Sequence, residues 1–214
     1  MLASGGGSNL QAIIDHFDAL GPDAPARVAL VVSDRESAGA LARARTHEIP
    51  AEWLPRERSA SLGALLAEHG ITHVALAGYL RLVPADVVTT FRGRLTNVHP
   101  ALLPAFGGPG MYGHHVHEAV LRAGATMSGP TVHFVSERYD EGAIVAQWRV
   151  PVRPDDTPAT LAKRVLAAEH FIYPRCVAAV CAGRTTLAAD GTVAGIPSFN
   201  GERVQPDPVH DLPV

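Results

Sequence analysis

The chain has 214 residues, 47% of them hydrophobic, and a formal net charge of −3. This length suits one domain with a large core, or a domain with a tail, and the composition excludes a disordered chain. The charge balance gives no sign of a nucleic-acid-binding surface. No apolar run approaches the roughly 18 residues of a membrane-spanning helix, and the first residues lack the charged and apolar regions of a signal peptide. We therefore expect a cytoplasmic protein.

The first half of the chain alternates short apolar runs with segments of helical periodicity. This alternation is typical of an α/β fold with a mostly parallel sheet flanked by helices. Strands are predicted at residues 28–32, 73–77 and 94–98, and helices at residues 10–17, 38–48, 61–69, 84–91 and 115–123. A glycine-rich loop at residues 105–113 separates the last of these strands from the last helix.

The second half of the chain indicates antiparallel strands. Residues 131–135 and 143–152 have extended patterns, and the loop between them contains Asp140 and Gly142. A long helix is predicted from residue 157 to 182, capped by Asp156 or Thr157, with Pro174 as a potential interruption.

The C-terminal region carries two cysteines and two turn dipeptides. Cys176 and Cys181 lie in the long helix and indicate core thiols in a reducing compartment. Asp190-Gly191 and Asn200-Gly201 predict small hairpins, and the proline-rich end from Pro206 is expected to be disordered.

A glycine-rich turn, Gly5-Gly6-Gly7-Ser8-Asn9, precedes the first helix. Free backbone N–H groups and the positive end of the helix dipole make such a turn suitable for binding an anion. Its spacing matches neither the dinucleotide-binding fingerprint nor a phosphate loop with its lysine. A single phosphate on a small molecule fits best, and a plain strand-to-helix turn is the alternative.

Asn97 and His99 lie two residues apart at a strand end, before Pro100. Alternate residues of a strand share a face, so the pair can stabilise a developing oxyanion and move a proton, as acyl or formyl transfer requires. Asp140 would raise the pKa of an adjacent histidine and fix its tautomer. Taken locally Asp140 is a turn residue, because its pairing with His99 depends on tertiary proximity.

Two further groups of polar residues have open interpretations. His114, His115 and His117 cluster, with His133 nearby, but their spacing matches no zinc pattern and no ligating cysteine accompanies them. We therefore predict no metal, and histidines that line a cleft or lie at the surface fit better. Glu169, followed by His170 in the long helix, faces either a site or solvent.

Six segments, matched in order between about residues 2 and 183, carry a family resemblance. They are Gly5–Gln11, Gly78–Leu82, Asn97–Pro104, Ser128–Val135, Asp140–Gly142 and Glu169–Pro174. Together they resemble the phosphoribosylglycinamide formyltransferase family, folate-dependent enzymes of purine synthesis with a Rossmann-like formyltransferase fold.

The resemblance implies a role for each group of residues. The catalytic trio would be Asn97, His99 and Asp140. The substrate phosphate would be held by Gly6, Gly7, Ser8 and Asn9, and the glycinamide part by Glu169. The folate pocket would be lined by Leu80, Arg81, Leu82 and Val83, together with Asp140.

The resemblance also implies a reaction and its partners. The formyl group would pass from 10-formyltetrahydrofolate, a co-substrate, to the amine of glycinamide ribonucleotide, with no tightly bound cofactor. Neither nucleic acid nor a membrane is expected as a partner, and a homodimer is left open. A formyltransferase domain would cover residues 1–183, with a phosphate-binding half at about 1–98 and a folate and catalytic half at about 99–183, followed by a hairpin tail at 184–214.

Three other functions compete with this interpretation. A formyltetrahydrofolate hydrolase uses the same trio with water as acceptor, but typically has an extra N-terminal domain and has no need of the phosphate turn. A formyltransferase acting on initiator tRNA would add a C-terminal domain and a basic surface. A non-catalytic folate or nucleotide binder would not need Asn97, His99 and Asp140 together.

The sequence departs from the family pattern in two places. Only three apolar residues, Met1-Leu2-Ala3, come before the glycine-rich turn, so we expect a very short first strand that affects the edge or centre of the sheet. The loop Phe106–His114 is long and rich in glycine, and we expect it to form a mobile lid over the substrate.

Overall fold

Six helices and a central sheet are seen in the computed structural model, which describes residues 1–199 and 202–203. The helices are α1 (Ser8–Leu20), α2 (Gly39–Thr46), α3 (Leu62–Glu68), α4 (Ala85–Thr90), α5 (His114–Arg122) and α6 (Pro158–Cys181). The strands are β1 (Val31–Ser33), β2 (Ala51–Trp53), β3 (Val74–Ala77), β4 (Leu95–His99), β5 (Met127–Ser128), β6 (Thr131–Phe134), β7 (Ile144–Gln147), β8 (Val150–Pro151), β9 (Thr186–Leu187), β10 (Val193–Ala194), β11 (Ser198–Phe199) and β12 (Glu202–Arg203). Short 3-10 turns occur at Gly21–Asp23 and Arg56–Ser61.

The central sheet is parallel in its first half and antiparallel in its second. β1 pairs with β2 and β3 with β4 in parallel, whereas β4 pairs with β6 and β6 with β7 in antiparallel orientation. Leu2 connects the two parallel pairs, because it forms parallel bridges to both Val32 and Leu76. The short first segment therefore occupies the centre of the sheet, and the predicted α/β architecture with antiparallel strands in the C-terminal half is confirmed.

Alternate residues of the central strands supply two hydrophobic cores, one on each face of the sheet. Ala3 and Val31 pack with the apolar faces of α1 and α6, whereas Leu2 and Val32 pack with α3 and α4. This division follows from the two-residue period of a strand, which sends successive side chains to opposite faces.

The helix α6 crosses the sheet without a break, so the potential interruption at Pro174 does not occur. Thr157 caps the helix, since its Oγ1 accepts from Thr160 N–H at 3.2 Å and the Thr160 hydroxyl accepts from Thr157 N–H at 2.9 Å. Tyr173 is fully buried, and its hydroxyl donates to the Leu76 carbonyl at 2.8 Å. Such packing on both sides of Pro174 offsets the roughly 3 kcal/mol that an interior proline costs.

Most other boundaries lie within a few residues of their predicted positions, although β1 begins three residues later than expected. The turn at Asp190-Gly191 joins β9 to β10 in an antiparallel hairpin, whereas Asn200-Gly201 and the end from Pro206 lie outside the described residues. Cys176 is buried and Cys181 half-buried, and both are free thiols. Among the described helices, none combines the length and apolarity needed to cross a membrane.

Candidate active site

A cleft of about 840 Å³ opens where the parallel strands end. In α/β sheets this edge is where ligands bind, because the loops that follow parallel strands converge there. All of the residues predicted to form the site line this one cleft: Gly6, Gly7, Ser8, Asn9, Leu80, Arg81, Leu82, Val83, Asn97, His99, Asp140 and Glu169.

The glycine-rich turn before α1 is held against α2. Gly7 has a left-handed φ of 78°, and a Cβ there would lie 2.7 Å from the Ala40 Cα, so no larger residue fits. Ala40 N–H donates to Gly5 O at 3.0 Å and Arg43 Nε–H donates to Gly6 O at 2.8 Å. The first amides of a helix have no acceptor within the helix, so this fixed turn can bind an anion at the start of α1.

Asn9 and Glu169 form a buried pair between α1 and α6. The Asn9 amide donates to Glu169 Oε2 at 2.6 Å, while its own Oδ1 is buried without a hydrogen-bond partner. Burial raises the pKa of Glu169 to about 7, and the Asn9 hydrogen bond only partly opposes this shift. Since the carboxyl lies at the cleft, a cationic ligand group there would favour its ionised form.

Asn97 is oriented by His133, which faces it across the β4–β6 ladder. Asn97 Nδ2 donates to His133 Nε2 at 3.1 Å, and His133 Nδ1–H donates to the Phe134 carbonyl at 2.9 Å. Burial lowers the pKa of His133, although the Phe134 carbonyl and Asp140 oppose this shift. A neutral His133 uses one Asn97 N–H, and the second N–H of the amide stays available to a ligand.

His99 lies between the start of the glycine-rich loop and Asp140. Its Nε2–H donates to the Phe106 carbonyl at 2.8 Å, and its Nδ1 lies 3.5 Å from Asp140 Oδ2. The ring is only 3% exposed. Each nitrogen therefore faces an oxygen acceptor, and the predicted proximity of His99 and Asp140 is found.

The loop between β6 and β7 brings the Asp140 carboxylate to this point. Asp140 has a left-handed φ of 57°, a conformation that aspartate tolerates better than most residues. A Cβ at Gly142 would collide with the Phe134 carbonyl, so glycine is needed for the loop to lie against β6. Asp140 Oδ2 also accepts from Gly108 N–H at 2.9 Å, and Oδ1 lies 3.7 Å from His133 Nε2.

The expected rise in the pKa of His99 is wrong for the ligand-free cleft. Burial lowers the pKa of His99, and this effect exceeds the opposing attraction of the Asp140 carboxylate and the Phe106 carbonyl. The contribution of Asp140 has the expected sign, but the ring loses more hydration than one carboxylate restores. Burial therefore shifts His99 toward its neutral form in the absence of ligand.

The three histidines near the start of α5 do not form one cluster. His114 and His115 are exposed, and their ring nitrogens lie within 4.8 Å of one another and of a Glu118 oxygen. His117 is buried and lines the cleft instead, with Nδ1 lacking a hydrogen-bond partner. Burial, together with His99, lowers the pKa of His117 to about 4, so a neutral ring faces the cleft.

The sequence left open whether these histidines line a cleft or lie at the surface, and it assigned no role in the site to His117 or His133. His133 belongs to an alternating strand pattern, and only the register opposite Asn97 would have pointed to it. His117 shares its helix with two exposed histidines, and the sequence does not separate its buried position from theirs.

A neutral amide, an imidazole and a carboxylate converge beside a glycine-rich turn that can bind an anion, and this arrangement suits an enzyme that transfers an acyl or formyl group. The family model for formyl transferases matches residues 1–177 of the chain. The chain therefore belongs to the formyl transferase family.

Individual relatives and solved structures agree with this assignment. The Arabidopsis thaliana protein named phosphoribosylglycinamide formyltransferase, chloroplastic, is 45% identical over 199 residues, which are 89% of this chain and 68% of the relative. The crystal structure of glycinamide ribonucleotide transformylase 1 from Symbiobacterium toebii has a TM-score of 0.81 at 40% identity, covering 90% of this chain and 91% of that one. A formyltetrahydrofolate deformylase from Pseudomonas syringae has a TM-score of 0.80 at 22% identity, over 90% of this chain and 63% of that one, and this likeness shows the shared fold alone.

Replacing Asp140 by asparagine should lower the pKa of His99 further, because the negative charge that favours the imidazolium is lost while the size is kept. NMR titration of the His99 ring in both proteins measures the shift. Glu141→Gln is the matched control, since it removes the adjacent, exposed carboxylate, which pairs with Arg138. An unchanged His99 pKa in Asp140→Asn would contradict the electrostatic link.

Replacing Glu169 by glutamine should stabilise the protein above pH 7. The pKa of Glu169 is 4.5 in the unfolded chain and about 7 in the folded state, so between these pH values only the folded state keeps the proton. The free energy of unfolding therefore decreases as the pH rises through this window. Glutamine avoids burying a charge, and the gain should reach at most about 3 kcal/mol. Urea unfolding at pH 8 measures it, and at pH 4 the pH-dependent part of the difference should vanish. A gain that does not depend on pH would refute the ionisation of Glu169 as its cause.

Proposed function

We propose that the chain transfers the formyl group of 10-formyltetrahydrofolate to the amine of glycinamide ribonucleotide, a step of purine biosynthesis. The observation that carries the proposal is that one cleft joins the anion-binding turn to Asn97, His99 and Asp140 and to the loop at residues 80–83. Relatives named for this activity are 40–45% identical to the chain over the aligned residues and support the same reaction.

The ribonucleotide would bind along the start of α1. Its phosphate fits the turn at Gly6, Gly7, Ser8 and Asn9, where glycine allows close approach and the helix N-terminus favours negative charge. Its amine, which is cationic before reaction, would lie near the Glu169 carboxyl and draw it into the ionised form. In this binding mode the negative phosphate lies at the positive end of α1, and the positive amine lies at the negative Glu169 carboxylate.

The folate would bind on the other side of the trio. Leu80, Arg81, Leu82 and Val83 follow β3 without regular structure. Their backbone groups, apart from the Leu80 N–H that donates to the Ser4 hydroxyl, would pair with the polar edge of a pteridine ring. Asp140 closes the same pocket from the β6–β7 loop. The formyl group would then lie between the ring and the amine of the ribonucleotide.

The trio would act on the charge that develops during attack. The substrate ammonium first releases one proton to bound water, and the lone pair of the neutral amine then adds to the formyl carbon. The carbonyl oxygen becomes negative, and the free Asn97 N–H donates to it. His99 Nε2–H is the second donor, and Asp140 favours positive charge on the ring as the oxyanion forms. The amine proton passes to the departing N10 of the folate, with bound water as carrier.

The oxyanion would replace an existing partner of His99. Without ligand, His99 Nε2–H donates to the Phe106 carbonyl, so the same N–H reaches the substrate only when this bond is exchanged. Phe106 begins the glycine-rich loop, of which Gly108 to His114 line the cleft. We therefore propose, as expected from the sequence, that this loop is a lid that opens and closes when the folate binds.

The setting of the reaction forms part of the same proposal. We place it in the cytoplasm, on the basis of the two free cysteines. The substrates are small molecules, with no role for nucleic acid or a membrane. Residues 1–98 would supply the phosphate-binding turn, the folate loop and Asn97, and residues 99–183 would supply His99, Asp140 and Glu169. The oligomeric state, including a homodimer, is measured by sedimentation.

An assay of formyl transfer with and without glycinamide ribonucleotide separates this function from its alternatives. We expect 10-formyltetrahydrofolate to be converted to tetrahydrofolate only when the ribonucleotide is present, in equal amount with formylated product. Consumption of the folate without the ribonucleotide would indicate a hydrolase, which uses water as acceptor. Binding of the folate without turnover would indicate a non-catalytic binder.

Asn97→Ala and His99→Ala should each reduce turnover by about 10²-fold or more, because each removes one donor to the oxyanion. Steady-state kinetics and circular dichroism measure turnover and folding separately. His73→Ala is a control, since this histidine lies at the opposite end of the sheet, just before β3. Turnover close to that of the unmodified chain in either variant would remove that residue from the catalytic role.

A further inference from the structure

A second polar network lies behind the cleft, apart from the catalytic trio. It joins three segments that follow neighbouring strands of the sheet: Ser4 after the N-terminal segment, Asp34 after β1, and Leu80 with Arg81 after β3. Ser4 is buried, and the Asp34 side chain is only 7% exposed. A nearly buried carboxylate needs partners for its charge, and here all of these partners belong to the edge of the folate loop or to the strand beside it.

Each polar atom at the centre of this network has a specific partner. The Ser4 hydroxyl donates to Asp34 Oδ1 and accepts from the Leu80 N–H at 3.0 Å. Arg81 Nε lies 3.2 Å from Asp34 Oδ2. The two carboxylate oxygens therefore hold the folate loop at consecutive residues, one directly through a guanidinium and one through a hydroxyl.

The folate loop, residues 79–83, packs its two ends, Tyr79 and Val83, against the hydrophobic core, and the residues between them have few other constraints. It belongs to no helix or strand, it follows Gly78 in the left-handed region, and Leu82 is 50% exposed. The Arg81 Nη1 is buried without a hydrogen-bond partner in the protein. Loss of Asp34 would thus leave a guanidinium without its counter-ion at the cleft wall, and the loop would be free to move.

We propose that Asp34 is a positioning residue for the folate loop, which it holds in place through Arg81 and Ser4. Leu80 and Arg81 line the cleft, whereas Asp34 and Ser4 lie behind them and act through them. The inference rests on the proposed function, which assigns the folate to this loop. It extends that function by naming a residue outside the cleft that controls affinity for the folate and not for the ribonucleotide.

The chemistry of the pair makes asparagine an informative replacement. An amide oxygen can still accept from Ser4, but its NH₂ group then faces the Arg81 Nε–H, and two donors oppose each other. Asp34→Asn should therefore loosen Arg81 while it keeps the link to Leu80. Asp34→Ala should loosen Arg81 directly and Leu80 through Ser4, whereas Ser4→Ala should loosen Leu80 and leave the Arg81–Asp34 ion pair in place.

Steady-state kinetics of Asp34→Asn, Asp34→Ala and Ser4→Ala test the proposal. We expect KM for 10-formyltetrahydrofolate to rise about tenfold, the effect of losing one hydrogen bond to a charged group. KM for the ribonucleotide and kcat at saturating folate should change less than about twofold, within the scatter of surface substitutions. Arg94→Met is the matched control, because Arg94 holds the Thr72 and Thr90 carbonyls at the opposite edge of the sheet. A parallel rise of both KM values, or the same pattern in Arg94→Met, would overturn the proposal.

Amide hydrogen exchange gives a readout that does not depend on turnover. The Leu80 amide should exchange faster in Asp34→Ala and Ser4→Ala than in the unmodified chain, while the amides of β3 and β4 keep their rates. An unchanged Leu80 rate in Asp34→Ala overturns the positioning role even if the unmodified chain is an active transferase. Absence of formyl transfer by the unmodified chain, in contrast, would count against the proposed function and leave the exchange result to decide the role of Asp34.

Discussion

The geometry of the cleft depends on the contacts of one group, the carboxylate of Asp140. It meets the His99 ring on β4, the His133 ring on β6 and the Gly108 amide of the glycine-rich loop. These three partners come from separate parts of the chain, so a single charged group fixes their mutual positions. The close approach of the β6–β7 loop to β6, which glycine at position 142 permits, brings the carboxylate there.

Burial shifts the pKa of four titratable groups that line the cleft in the absence of ligand. It lowers the pKa of His99, His117 and His133 and raises that of Glu169, so that each group shifts toward its neutral form. A substrate with a phosphate and an amine would then bring charges into the cleft, and these charges would change the protonation of the same groups. A protein that holds such groups out of water gives up stability, which is the usual compromise at a functional site.

The two loops that would bind the two substrates are held in different ways. The turn at Gly5–Asn9 is fixed by backbone contacts with α2, and this requires glycine where the chains approach closely. The folate loop is fixed by side chains, through Asp34, Ser4 and Arg81. Substitutions would therefore affect the two binding steps separately, because backbone packing and an ion pair respond to different changes.

The sequence by itself determined the local elements and the candidate residues. The glycine-rich turn, the Asn97–His99 pair and the helical periodicity are local patterns, and the predicted strands and helices lie close to those in the structure. The resemblance also named Asp140 and Glu169, but neither residue has a local pattern that reveals its partner. Pro174 shows the limit of local rules, since tertiary packing keeps α6 continuous.

Only the tertiary structure decided which side chains meet and what burial does to them. The register of β4 against β6 places His133 opposite Asn97, and the strand order brings Ser4, Asp34 and Arg81 together. The pKa of His99 is lowered, although a rise was expected. Desolvation causes this difference, because it depends on the atoms that surround the ring and not on the neighbours in the sequence. Spacing along the chain encodes periodicity, whereas proximity and hydration depend on how the whole chain packs.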